Sequence, residues 1–155
     1  MRNLLLTLAL ATSLAQAQLA TKKAITLDLA KKIADAAHAE AVANQWTMVV
    51  TVIDDGGNII YLQKADGTQI GSIDVAVEKA RSAVKFKRPT KAFEDVLAGG
   101  RTAILKLPGA LPVEGGVPLM LDGVVLGAIG VSGATSAQDG QCAAAGVKVF
   151  EKLAK

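Results

Sequence analysis

The sequence predicts an α+β domain: an antiparallel sheet of four to five strands flanked by helices. Three observations carry that prediction. First, "MVVTVI" and "NIIYLQK" are β-branched runs joined by the turn Asp54-Asp55-Gly56-Gly57, and "VPLML" and "VVLGAIGVS" are joined by Asp122-Gly123, a preferred two-residue hairpin turn. Second, segments with apolar residues at helical spacing lie before, between and after these pairs. Third, hairpins rather than βαβ crossovers connect the strands, which makes the sheet antiparallel with helices packed on it.

Residues 1–17 are set apart from the domain. Arg2, an apolar stretch from Leu4 to Leu14, and Ala15-Gln16-Ala17 form the three-part pattern of a secretory signal peptide. The stretch is shorter than the roughly 20 residues a membrane-spanning helix needs. Cleavage after Ala17 leaves residues 18–155 as a single domain, exported to the periplasm or the medium. No cysteine follows the leader to take a lipid, so neither an anchor nor a membrane span is expected.

Within the domain, Thr26 caps a first helix, with Asp28 in its first turn where the helix dipole favours an anion. Its inner face is Ala30, Ile33, Ala34, Ala37 and Ala41, so its partner must approach closely. The first hairpin follows. Ser72 is read as the cap of a second helix, whose apolar face is Ile73, Ala76, Val77, Ala80 and Ala83. Pro89 ends it, and Thr90 starts a short third helix that stops at Gly99-Gly100. After the second hairpin, Ser136-Ala-Gln-Asp139 reads as a capping box with Asp139 in place of Glu, opening the last helix.

The charge balance is weak. The chain carries a formal net charge of +3, and the leader holds one of the cations. The basic residues between Lys79 and Lys91 are bracketed by Glu78 and Glu94, which describes a solvated helix face rather than a nucleic-acid groove. The single cysteine, Cys142, cannot form an intramolecular disulfide, and its Ala-rich surroundings point to burial.

"GVVLGAIGVSGATSAQD" poses the sharpest question. Its G-x-x-G-x-x-G spacing matches neither the dinucleotide fingerprint nor the phosphate P-loop. Read as a strand, it puts Ala128, Gly130 and Ser132 on one face, small throughout. Either a helix backbone packs close there or a flat ligand lies against the sheet.

The stretches "VEGGVPLMLDGVVLGAIGVSG", "QD", "DDGGNII" and "EKARSA" together resemble the GlcG/HbpS family of haem-binding or haem-degrading-like domains. The likeness runs from Thr26 to Leu153. It implies a profilin/PAS-like layout, assembly into homo-oligomers, commonly octamers, and haem or another tetrapyrrole as ligand. Many members follow the second strand with Arg-Met-Asp-Gly. Here Lys64-Ala65-Asp66-Gly67 stands instead, and Lys cannot reproduce the bidentate geometry of Arg.

The resemblance sorts the polar residues. Lys79 and Arg101 match polar positions of the family. They are either cations for a carboxylate ligand, haem propionates included, or structural groups, with Lys79 paired to an acid and Arg101 capping carbonyls after Gly99-Gly100. Glu114-Gly115-Gly116 offers a nest of N–H groups to an anion, a general acid or base, or a tight turn with an exposed acid. Ser132 and Asp139 complete the candidate ligand set, and Asp139 alternatively serves as the cap of the last helix. One His and one Cys cannot build a closed zinc site.

For haem iron the available side chains are His38, Tyr61, Met48, Met120 and Cys142. One Trp, one Tyr and three Phe are too few for a deep haem pocket, so a ligand at a surface or between subunits is expected. His38 shares the polar face of Lys31 and Asp35 on the first helix. It is either a solvated surface residue or, across a two-fold axis, one of two imidazoles facing one iron. The favoured function is an exported haem-binding carrier, scavenger or sensor partner rather than an enzyme. The alternative is an enzyme acting on a small organic acid, with Glu114 or Asp139 as acid/base and Arg101 holding the carboxylate.

Overall fold

A computed structural model describes residues 20–154. The signal peptide read at residues 1–17 lies outside them. Helix α1 (Leu27–Ala43) is followed by strands β1 (Val49–Asp54) and β2 (Ile59–Lys64). Helices α2 (Ser72–Phe86) and α3 (Lys91–Ala98) and a 3₁₀ turn at Thr102–Lys106 come next. Strands β3 (Gly116–Leu121) and β4 (Val124–Ser132) and helix α4 (Ser136–Leu153) complete the chain. The sheet has four antiparallel strands in the order β2-β1-β4-β3. Helices α1 and α4 cover one face and α2 covers the other, giving three layers.

The local chemistry explains the elements. Thr26 accepts a hydrogen bond from the Leu29 N–H and starts α1. The face Ala30, Ile33, Ala34, Ala37 and Ala41 is fully buried, as the spacing predicts. Asp122 and Gly123 both take positive φ, 51° and 77°, the geometry of a type I′ hairpin turn. Two caps differ from expectation. Gly71, not Ser72, holds the N-cap of α2; Ser72 lies inside the helix, buried, and its hydroxyl accepts from Gln69. The box on α4 belongs to Thr135 and Gln138, whose side chains each accept the other's backbone N–H. That shift by one residue turns Asp139 inward instead of leaving it at the helix mouth.

The main core lies under α1 and α4: Val50, Val52, Ile129 and Val131 of the sheet meet Ile33, Phe150 and the alanines of α1. Gly146 of α4 keeps that layer thin, since a Cβ there would lie 2.6 Å from Ile129 and 2.9 Å from the Ile33 carbonyl. The opposite face answers the glycine question. Gly130 pairs with Gly116 across β3 and β4. A Cβ on Gly130 would stand 2.0 Å from the Ala76 carbonyl oxygen, and one on Gly116 would stand 2.2 Å from that of Lys79. The backbone of α2 therefore rests directly on the two glycines, and the small face holds a helix rather than a flat ligand.

Candidate functional site

The start of β3, the end of β4, the first turn of α4 and the middle of α2 meet at one end of the sheet. There Lys79 and Asp139 form an ion pair of 2.6 Å with side chains 1% and 3% exposed. Lys79 Nζ also donates to the Val131 carbonyl at 3.1 Å, and the Ala134 N–H donates to Asp139 Oδ1 at 3.2 Å. Burial raises the Asp139 carboxyl above its usual range, opposed by the Lys79 ammonium and by the N–H groups of Ala134 and Gly133. The pair ties α2 to α4 around the end of the sheet. Of the two readings for Lys79, the geometry is that of pairing with an acid.

One N–H of the Glu114-Gly115-Gly116 turn meets an anion, and that anion is the protein's own. The Glu114 N–H donates to the Glu94 carboxylate, whose other oxygen accepts from Ser136 Oγ at 2.9 Å. Thr90 and Gly116 are joined the same way, with the Gly116 N–H donating to Thr90 Oγ1 at 3.0 Å. Gly115 takes φ 125°, and a Cβ there would stand 2.6 Å from the Val131 carbonyl. The Glu114 carboxyl is pushed up from its usual range by desolvation and by Glu94 and Asp95, against the pull of Lys91 and Lys79. Ser132 is buried where β4 ends, beside this cluster. Glu94, Thr90 and Ser136 complete the cluster and were not candidates. No sequence pattern links Glu94 to a turn 20 residues later; the bond exists because α3 docks beside β3.

Arg101 stands apart. It is exposed at the start of the 3₁₀ turn, and its own N–H donates to the Val96 carbonyl. Among the described residues its guanidinium makes no hydrogen bond or ion pair, so it caps no carbonyl. It lines a groove with Arg88, Phe86 and Phe93.

The iron-ligand candidates separate by burial. Met48 and Cys142 are fully enclosed in the core, and burial pushes the Cys142 thiol up to about 12, which keeps it protonated. Neither can reach a ligand from outside. Tyr61 is half-buried on β2 under the Lys31 ammonium, 6.0 Å from the ring centre, and Met120 is exposed. His38 is half-buried rather than solvated, and its Nδ1 is enclosed without a hydrogen-bond partner. One other enclosed side-chain atom among the described residues lacks a partner: Oε1 of Gln63. Alternation along β2 places Gln63 on the same face as Tyr61, toward α1.

A three-layer α+β domain, its single sheet closed at one end by a buried lysine–aspartate pair, is the class these features define. The chain belongs to the HbpS-like family: the family model described as "Haem degrading protein HbpS-like" matches residues 25–148. It is 39% identical over 112 residues to Protein GlcG of Escherichia coli K12, covering 72% of this chain and 84% of that protein. Its fold is similar to that of a Streptomyces reticuli HbpS double mutant (TM-score 0.79, 32% identity, 92% of this chain and 98% of that one). The Klebsiella pneumoniae protein ORFY is similar too (TM-score 0.81, 28% identity, 88% and 97%). The α+β architecture and the family read from the sequence both stand. No described helix is long and apolar enough to cross a membrane.

Proposed function

We propose that this chain is an exported haem-binding protein, a carrier, scavenger or sensor partner, with His38 as the iron ligand. The family description supplies the ligand class. The observation that carries the reading is the unpartnered, enclosed Nδ1 of His38. A buried polar atom without a partner costs roughly 1–3 kcal/mol, so it calls for a reason. With Nδ1 turned inward, Nε2 is the nitrogen left to face a ligand. Metal-bound histidines donate their second ring N–H to an acceptor, which fixes the tautomer. Gln63 Oε1, enclosed and lacking a donor on the strand face turned toward α1, is the acceptor we assign to that N–H once a ligand is bound; the two atoms share no hydrogen bond in the structure. Bound haem would supply an iron centre; the chain supplies the imidazole and its orientation.

The surroundings suit a site completed by a second copy. Val42, one helical turn from His38, is 60% exposed, and β2 is an unpaired sheet edge whose Ile59 is also exposed. A two-fold axis at this face would set two His38 rings on one iron and bury those side chains. Haemin titration of the purified mature protein tests the reading. The expected result is a shifted Soret band, a low-spin six-coordinate spectrum and one haem per two chains. His38→Ala should abolish that spectrum and leave the oligomer intact. An unshifted Soret band at micromolar haemin, or an unchanged spectrum in the variant, would overturn it. Export is checked by N-terminal sequencing of the protein recovered from cells, which should begin at Gln18.

A further inference from the structure

We infer that the groove between α3, the end of α2 and the 3₁₀ turn binds a small, flat, apolar carboxylate. The groove encloses about 280 Å³, at the lower end of the ~300–1,000 Å³ typical of ligand sites, so its occupant is of one- or two-ring size. Its floor is aromatic: Phe86 and Phe93 meet edge to face, ring centres 5.1 Å apart at 77°. Ile104 of the 3₁₀ turn and Leu107 just after it line it as well. Two guanidiniums stand at the rim. Arg88 lies over Phe93, 5.7 Å from the ring centre, and spends one donor, Nε, on the Phe86 carbonyl at 3.3 Å. Arg101 spends none on any described side chain.

No acidic residue lines this groove, and neither arginine belongs to an ion pair among the described residues. A larger cleft beside the first hairpin differs on this point. There Arg81 is already satisfied by Glu78 at 2.9 Å and by the Gly57 carbonyl at 3.2 Å. Two uncompensated guanidiniums over an aromatic floor are complementary to a carboxylate on a flat apolar body. A neutral aromatic would leave the arginines unused, and a small polar acid would leave the floor uncovered. The site does not depend on the haem reading, because α2, which supplies Phe86, lies across the sheet from α1 and His38.

The test uses 1-naphthoate as probe on the whole mature protein, followed by amide chemical shifts and calorimetry. Binding is expected with a dissociation constant of about 1 mM or tighter, with shifts concentrated at Phe93, Arg101 and Ile104. Arg101→Gln and Arg88→Gln should each weaken binding about three- to ten-fold, and both arginines are exposed, so the melting temperature should not move. The uncharged 1-naphthalenemethanol should bind about ten-fold more weakly. Unmoved groove amides at ~10 mM naphthoate, or equal binding of naphthoate by the double variant, would overturn the site. Soret titration of the same variants separates the two readings: loss of naphthoate with haem binding retained touches the groove alone.

Discussion

The two faces of the sheet are built by opposite means. On the α1/α4 side, large side chains interdigitate: Val50, Val52, Ile129 and Val131 against Ile33 and Phe150. On the α2 side almost no large side chain intervenes; the apolar cluster is Ile53 with Ala80, Ala83 and Ala128, and the helix backbone sits on Gly116 and Gly130. The first face is held by apolar area, which tolerates a lost methyl group at modest cost. The second is held by close approach and by one buried ion pair, neither of which has slack. Neighbouring residues of one strand, Ile129 and Gly130, therefore sit under different rules.

That contrast is broken most forcefully at Gly130. Gly130→Val should abolish cooperative folding, because a Cβ alone would stand 2.0 Å from the backbone of α2, whereas Ile129→Val on the other face should cost about 1 kcal/mol. Thermal melts by circular dichroism compare the two; similar melting temperatures would erase the distinction. Next in size is Lys79→Met, which leaves Asp139 enclosed and uncompensated and should cost about 3–5 kcal/mol. Adding Asp139→Leu should recover most of that loss, since a buried pair replaced by packed apolar groups is often near neutral. Urea titration of the single and double variants gives the coupling. A double variant no better than the single would mean the pair does more than hold α2 in place.

A smaller effect lies at the cap of α4. Thr135→Ala should lower stability by about 1 kcal/mol, while Ser136→Ala should cost less at the helix end itself. The reverse order would return the cap to Ser136. The smallest effect concerns Glu114. Its carboxyl is raised above its unfolded value, so its ionised form is the costlier one in the fold. The sign follows: stability from this group is present at low pH and is lost as pH rises above the ordinary carboxylate range. Glu114→Gln should therefore be neutral or slightly stabilising at pH 7, by about 0.5 kcal/mol or less, and should flatten the stability–pH curve in that window. A variant less stable than the parent at pH 7 would contradict the assignment.

The sequence made the fold legible because its signals are local. The positive-φ turn at Asp122-Gly123 and the alanine face of α1 are each written in a few consecutive residues. The thin face of β4 was legible too, though choosing between helix and ligand needed coordinates. The caps of α2 and α4 were misplaced because Gly71 and Thr135 adjoin equally plausible Ser72 and Ser136. The polar cluster was legible only in halves. Lys79, Glu114 and Asp139 are marked by type and family position, but their pairings span long separations that no spacing rule encodes. Arg101 is grouped with Glu114 by sequence, but the fold sets it beside Phe86 and Phe93 instead. His38 reads as part of a polar helix face, and its half-burial is a tertiary property that helical spacing does not encode.

The facing glycines also set a geometric condition on how the chain can assemble. Helix α2 finds its seat only when Gly116 and Gly130 stand opposite each other, and that alignment exists only once the β3–β4 hairpin has closed in register. A slip by one residue would present the other face of the strand to the helix. The contact between Lys79 and Val131 spans 52 residues of chain, so the helix waits on a segment made well after it. Docking of α2 is thus expected late, after the sheet is in register. Mild substitutions on its inner face, such as Ala80→Gly, should speed unfolding and leave the folding rate nearly unchanged.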